Sequence, residues 1–235
     1  MRRASVAVLA ALTALPATAL DISPVRVSVP AGPAHAELWL TNPAPTAWTG
    51  QARLYRWEQA EDREHLLPAQ EVAVSPAVLS IAPGQRQRVR VVRLGAAPGD
   101  AQQGYRLVIS PDGKAGEVRY SLPVFLEPAV PGAAASQLHV RAIGTPAAPR
   151  LQLYNDGDGH AHLADLAYVD ADGRPQPLIG GLAGYVLPHS MRSWTLPPRA
   201  DGYVGGRFWA RLDDAAAAAL PASPAQIAPA ASSGL

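Results

Sequence analysis

Val118-Arg119-Tyr120-Ser121-Leu122-Pro123-Val124-Phe125-Leu126 is the longest clean alternation in the chain. Val118, Tyr120, Leu122, Val124 and Leu126 share one phase, and Arg119, Ser121 and Pro123 share the other before Phe125. Period-2 alternation marks a β-strand with one apolar face. Pro123 has no N–H to give to a ladder, which suits an edge strand. An apolar edge strand invites pairing with a further chain. Val118, Tyr120, Leu122 and Val124 are therefore read as the face of a donor strand lent to a partner.

Upstream, short alternating runs are separated by Pro, Gly and Asn. Val25, Val27 and Val29 alternate with Arg26 and Ser28, and Leu38 and Leu40 with Glu37 and Thr41. Gln51 to Trp57 is a third run, and Arg86 to Arg93 leaves the Pro83-Gly84 turn as another. About seven such strands between residues 20 and 128 match the count of an immunoglobulin-like sandwich. Residues 129–137 are Pro, Gly and Ala without periodicity and read as a linker. A second set of strands over 138–212, broken by Asn155-Asp156-Gly157, Asp172-Gly173 and Pro197-Pro198, predicts a second, smaller β-sandwich domain. Residues 213–235 carry few large side chains and are expected to be a disordered Ala/Pro-rich tail. The reading is all-β. With 24 Pro and 20 Gly among 235 residues, long helices are disfavoured, and with no Cys the domains rest on their cores alone.

Arg2 and Arg3, an apolar run from Val6 to Leu15, and Ala17-Thr18-Ala19 form the pattern of a secretory signal over 1–19. Removing it takes away two Arg and no acid, leaving 18 basic groups against 19 acidic ones. Such balance gives no general pull toward nucleic acid. No later stretch is long and apolar enough for membrane insertion by a helix.

Nothing nominates a catalytic group. There is no GxSxG, HExxH or P-loop pattern, so an enzyme, a nucleotide site and a cofactor are not expected. Asn155 to Gly159 and Asp170 to Gly173 resemble fragments of calcium loops, but lack the spaced ligands and are better explained as turns. His160 and His162 share a strand face, yet no third ligand converges by sequence, and no metal is expected. On the Arg-rich strand, Arg86, Arg88 and Arg90 read as a solvated face. Arg93 falls in phase with Val89 and Val91.

Taken in order, Ile22-Ser-Pro-Val-Arg26, Ala36-Glu-Leu-Trp-Leu-Thr-Asn42, Val74-Ser-Pro76, Ile81-Ala-Pro83-Gly84-Gln-Arg-Gln-Arg-Val-Arg90, Tyr105-Arg106 and Leu122-Pro-Val-Phe125 resemble the pilus-assembly chaperones of the chaperone–usher pathway. Tyr105-Arg106 and Leu122 to Phe125 are similar to its archaic branch. The resemblance implies two immunoglobulin-like β-sandwich domains set as an L or boomerang around a cleft. It also implies a periplasmic chaperone that holds pilin subunits by donor-strand complementation and passes them to an outer-membrane usher. In that family the subunit's C-terminal carboxylate is anchored on basic residues. Arg26 matches the first anchor, Pro123 stands at the second, and Arg93 and Arg106 are the expected substitutes. Arg90 and Asp201 match an interdomain ion pair. The rival reading is an exported adhesin or carbohydrate-binding module, for which Trp48 and Tyr55 would be the contact aromatics.

Overall fold

The computed structural model describes residues 19–113, 118–130 and 134–223. The expected signal sequence falls almost wholly outside them. The described residues contain no helix. The first domain runs β1 (Asp21–Ser23), β2 (Val27–Val29), β3 (His35–Thr41), β4 (Trp48–Ala60), β5 (Arg63–Pro68), β6 (Val72–Ser75), β7 (Val78–Ile81), β8 (Arg86–Arg93), β9 (Gln103–Pro111) and β10 (Tyr120–Leu126). One sheet has the order β1-β3-β8-β6, and the other β2-β10-β9-β4-β5 with β7 also on β4. Leu38, Leu40, Val89 and Val91 of the first sheet meet Leu107, Ile109, Val124 and Leu126 of the second in one dry core.

The second domain comprises β11 (Leu138–Thr145), β12 (Ala148–Asn155), β13 (Ala161–Val169), β14 (Pro175–Val186), β15 (Ser190–Thr195), β16 (Arg207–Leu212) and β17 (Ala218–Ala219). Its sheets are β11-β12-β15 and β14-β13-β16-β17. Leu151, Leu153, Leu163, Leu166 and Tyr168 fill its core. The turn readings hold: Asp170 Oδ1 accepts the N–H groups of Asp172 and Arg174, and Asn155 Oδ1 that of Gly157.

Three expectations about chain organisation are corrected. The second domain does not stop at residue 212: β17 pairs with β16, Leu220 is buried, and Ser223 N–H reaches Val140. Leu220 supplies the large side chain that the Ala/Pro composition obscured. The third run also continues past Trp57 to Ala60, turns at Glu61-Asp62 with positive φ, and returns as β5. Finally, the apolar phase of β10 is not presented outward. Leu122 and Val124 lie in the first domain's own core, Tyr120 packs against its rim, and Val118 precedes the strand. An apolar strand face is buried most cheaply against the sheet already facing it, and the sandwich provides that sheet.

A third, smaller cluster joins the domains. Trp57 of β4 and Phe125 of β10 project from the outer face of the second sheet onto Tyr185 and Leu187. The Trp57 and Tyr185 rings meet edge to face at 5.6 Å. Gly104 lies beside Phe125, and a Cβ there would come 3.1 Å from Leu187, so only glycine allows this approach unchanged. The buried Gln59 amide completes the joint, donating to Tyr185 C=O at 3.0 Å and accepting from Leu187 N–H at 2.9 Å.

Two measurements test this architecture. Leu122→Ala should destabilise the first domain by about 2–5 kcal/mol in urea unfolding, as for other buried Leu truncations; an unchanged midpoint would mean the side chain is not core. Gln59→Ala should cost about 2–3 kcal/mol because it strands a buried N–H and a buried C=O.

Candidate functional site

The outer face of the second sheet can be followed row by row from the pairing register. Pro123 of β10 lies opposite Arg106 of β9, which lies opposite Tyr55 of β4. Val27 of β2 pairs in parallel with Val124, and Arg26 is the residue just ahead of that ladder, on the Pro123 side of it. Pro123, Arg106 and Tyr55 thus stand abreast, with Arg26 at the β2 side of the row. Pro123, between Arg26 and Arg106, carries no charge and is buried. The next row holds Ser28, Phe125 and Gly104 and abuts the second domain.

Arg26 keeps about a third of its side chain exposed and makes only loose pairs, 3.9 Å to Asp213 and 3.4 Å to Asp214. Arg106 leans along the sheet toward the second domain. Its guanidinium carbon sits 3.6 Å from the Trp57 ring centroid, in cation–π contact, and its Nη2 is 4.0 Å from Glu64. Burial lowers its pKa, Arg192 adds to that, and Glu64 and Tyr185 oppose it; it stays a cation. Arg192 of β15 meets the same Glu64 at 2.7 Å, so one carboxylate joins guanidiniums of both domains.

Two expected site assignments are overturned. Arg93 points inward from the other sheet, in phase with Val89 and Val91, and ties the loop before β3 by donating to Ala31 C=O at 2.9 Å. It therefore stands apart from Arg26 and Arg106. Arg90 and Asp201 do not pair. Arg90 lies directly opposite Glu37 on β3 and binds it at 2.8 Å, while both oxygens of Asp201 accept from the single Nε–H of Arg199 at 2.7 and 2.9 Å. A cross-strand or next-but-one neighbour is in reach without any domain placement, and each charge is used locally. The Arg90 hydrogen bond holds the Glu37 carboxyl below its ordinary value.

The domains are joined instead by groups that the sequence did not nominate. Besides Gln59, Asp62 pairs with Arg150 and accepts Ser193 N–H at 2.6 Å. Gln102 N–H donates to Asp158 C=O at 2.8 Å, its amide nitrogen to both Glu127 oxygens at 2.9 Å, and its Oε1 accepts from His160 N–H at 3.1 Å. The one available signal was Phe125: an aromatic on the otherwise polar phase of β10 implies a second covered face.

A cavity of ≈ 230 Å³ lies between the domains, lined by Arg26, Ser28, Phe125 and Glu127 on one side and His160 and Asp213 on the other. The His160 ring stacks on Phe125 with centroids 3.6 Å apart. Its Nδ1 lies 2.6 Å from Gln102 Oε1, an acceptor, so the neutral ring carries its proton there, and Nε2 is buried without a partner. Burial first, then Arg26 and His162, lowers the His160 pKa to about 4.

The comparisons with known proteins fit this geometry. Residues 19–113 match the family model described as the pili and flagellar-assembly chaperone, PapD N-terminal domain. No curated protein sequence matches. Among solved structures, a chain of the CsuC–CsuE chaperone–tip adhesion subunit pre-assembly complex from archaic chaperone–usher Csu pili of Acinetobacter baumannii aligns with TM-score 0.69 and 19% identity, covering 88% of this chain and 100% of that one. The Pseudomonas aeruginosa CupB2 chaperone aligns with TM-score 0.58 and 20% identity over 83% and 94% of the two chains. The E. coli chaperone DraB gives 0.59 and 18% over 88% and 96%. The molecule is a two-domain β-sandwich of the pilus-chaperone fold. Residues 19–113 thus carry the pattern of the pilus-chaperone N-terminal domain, and the two domains together are similar in fold to those chaperones.

The interface should respond to acid in a defined window. An unfolded His titrates near 6.5 and His160 in the fold near 4. Between these values the unfolded chain holds more protons, so stability is full above about pH 6.5 and declines as pH falls toward 4, by about 2–3 kcal/mol. Thermal unfolding of His160→Phe should show a shallower decline across that window than the wild type. Parallel declines would remove His160 from the acid response.

Proposed function

We propose that this chain is a periplasmic chaperone that captures pilin subunits by strand addition and delivers them to an outer-membrane usher. The observation that carries the reading is the row Arg26–Pro123–Arg106, set beside an edge of β10 that is only partly covered. β2 pairs with β10 only over Val124 to Leu126, which leaves Tyr120 to Pro123 with β9 alone as a neighbour among the described strands. A pilin lacking its last strand exposes unpaired backbone groups and an apolar groove, both costly in water. Adding one of its strands along Tyr120–Pro123 satisfies the backbone. Val118, half exposed ahead of β10, is the side chain of the expected set still free to enter the groove.

The register of the added strand is set by its carboxylate. Arg26 and Arg106 flank Pro123, and guanidinium forks match a carboxylate in a way that a single ammonium cannot. A Lys at Pro123 would be redundant with Arg106 on the neighbouring strand and Arg26 just ahead of β2. The structural likeness to a chaperone of archaic Csu pili favours the same branch for this chain. The chaperone–pilin pair in the Salmonella enterica SafA–SafB complex, whose matched chain aligns at TM-score 0.56, supports a pilin as the partner. Export through a signal over residues 1–19 would place the protein where pilins emerge.

Substituting Arg26 or Arg106 by Gln should weaken binding of a co-expressed pilin roughly ten- to hundredfold, the worth of a charge-assisted hydrogen bond. Amidating the C-terminus of the subunit's last-strand peptide should abolish the difference between variant and wild type. A difference that survives amidation would show that these arginines do not hold the carboxylate.

A further inference from the structure

We propose that Glu64 is an internal stand-in for the subunit's terminal carboxylate, and that Arg192 of the second domain is a third guanidinium of the same site. The inference rests on the carboxylate-anchor reading above and extends it to a residue that occupies the site when it is empty. Glu64 sits on β5, an edge strand whose residues are all exposed, and its position opposite Gln59 aims its side chain at the domain joint. There its two oxygens are shared out. Oε1 meets Arg192 at 2.7 Å and Oε2 meets Arg106 at 4.0 Å. These are the ion pairs of Arg106 and Arg192 among the described residues.

The fit is incomplete in a way that suits a displaceable occupant. Arg192 uses one terminal nitrogen on Glu64, while its Nε is buried with no partner. A guanidinium presents a planar fork for two oxygens, and here half of that fork is unused. At 4.0 Å Arg106 makes no hydrogen bond to Glu64 and is held chiefly by its stack on Trp57. The side chain of Glu64 is two-fifths exposed, so leaving the site returns its charge to water at little cost. An α-carboxylate arriving along β10 has no side chain to bend into place and can take the fork that Glu64 meets poorly. Arg106 then turns from Glu64 toward Pro123 and Arg26. The exchange replaces one carboxylate by another, so the arginines are never left as unpaired buried cations, a state that costs far more than either pair.

Glu64 therefore sets a threshold: a subunit is retained only if its carboxylate competes with the one already present. The test uses the full chain, with an acetylated alternating Val/Thr hexapeptide as the free acid and as the amide. Binding is followed by NMR on the Trp57 indole and arginine guanidinium signals. Glu64→Gln should bind the acid about three- to tenfold more tightly than wild type and leave the amide unchanged. Arg192→Gln placed on that background should cancel the gain. If wild type prefers acid to amide but Glu64→Gln does not tighten acid binding, the stand-in is refuted and the anchor survives. If neither protein distinguishes acid from amide, the anchor reading fails and takes this inference with it. Thermal unfolding of each variant, with Glu64→Asp as a shortened carboxylate expected to fall between the two, separates these outcomes from a loss of fold.

Discussion

The contact of Trp57 and Phe125 with Tyr185 and Leu187 is the constraint on which the rest of the arrangement depends. These side chains leave the outer face of the first domain's second sheet and close against the second domain. Four large apolar groups withdrawn from water contribute roughly 1.5–3 kcal/mol each, more than any ion pair on the same surface. Apolar contact alone is indifferent to small slides. Gln59 removes that freedom, because its amide satisfies a C=O and an N–H two residues apart on the other domain. Any shift large enough to break those bonds strands buried polar groups. Gly104 lets Leu187 approach the sheet backbone and fixes the depth of the contact.

With that joint in place, the next row of the same face becomes a site. Arg26, Pro123, Arg106 and Tyr55 are one residue pair farther along the sheet, where the second domain no longer covers it fully. Charge at this boundary is partly desolvated, as the lowered Arg106 pKa records, yet still reachable. A carboxylate there gains more than it would on an open surface, and less dehydration is required than in a core. The ion pairs around the joint, Asp62 with Arg150 and Glu64 with Arg192, each join a mostly buried group to a more exposed one. Their consequence is positional: they hold the β4–β5 hairpin against the second domain.

Much of the fold was legible because alternation is a direct image of a two-sided sheet. Val27 and Val29 against Ser28, and Val89 and Val91 against Arg88 and Arg90, sort to their faces as the sequence indicated, whereas Val25, expected in phase with Val27, lies ahead of the strand and is exposed. Within the set Val118, Tyr120, Leu122 and Val124, the outward assignment failed at Leu122 and Val124, which lie in the core, for an equally physical reason. Alternation shows that one face is apolar without showing what covers it, and a sandwich core is the nearest cover. Arg90 and Asp201 failed because spacing along a chain carries no distance: Glu37 is the cross-strand neighbour of Arg90 and wins by proximity. Gln59, Glu64 and Arg192 were not legible. Polar residues on solvated-looking strands acquire meaning only once a second domain is placed above them.

Burying the apolar phase of β10 also limits what the strand can pair with. A strand with Val118, Tyr120, Leu122 and Val124 all exposed would pair with any chain offering an edge, including a second copy of itself. In the fold observed, the side chains that would make β10 adhesive are committed to its own core, and the open edge offers backbone groups over only Tyr120 to Pro123, interrupted by the missing N–H of Pro123. Such an edge binds weakly by itself. Selectivity then has to come from a second contact, and the adjoining guanidiniums supply one that recognises the end of a chain. Strand pairing without a correctly placed carboxylate, or a carboxylate without a strand, gains only part of the interaction.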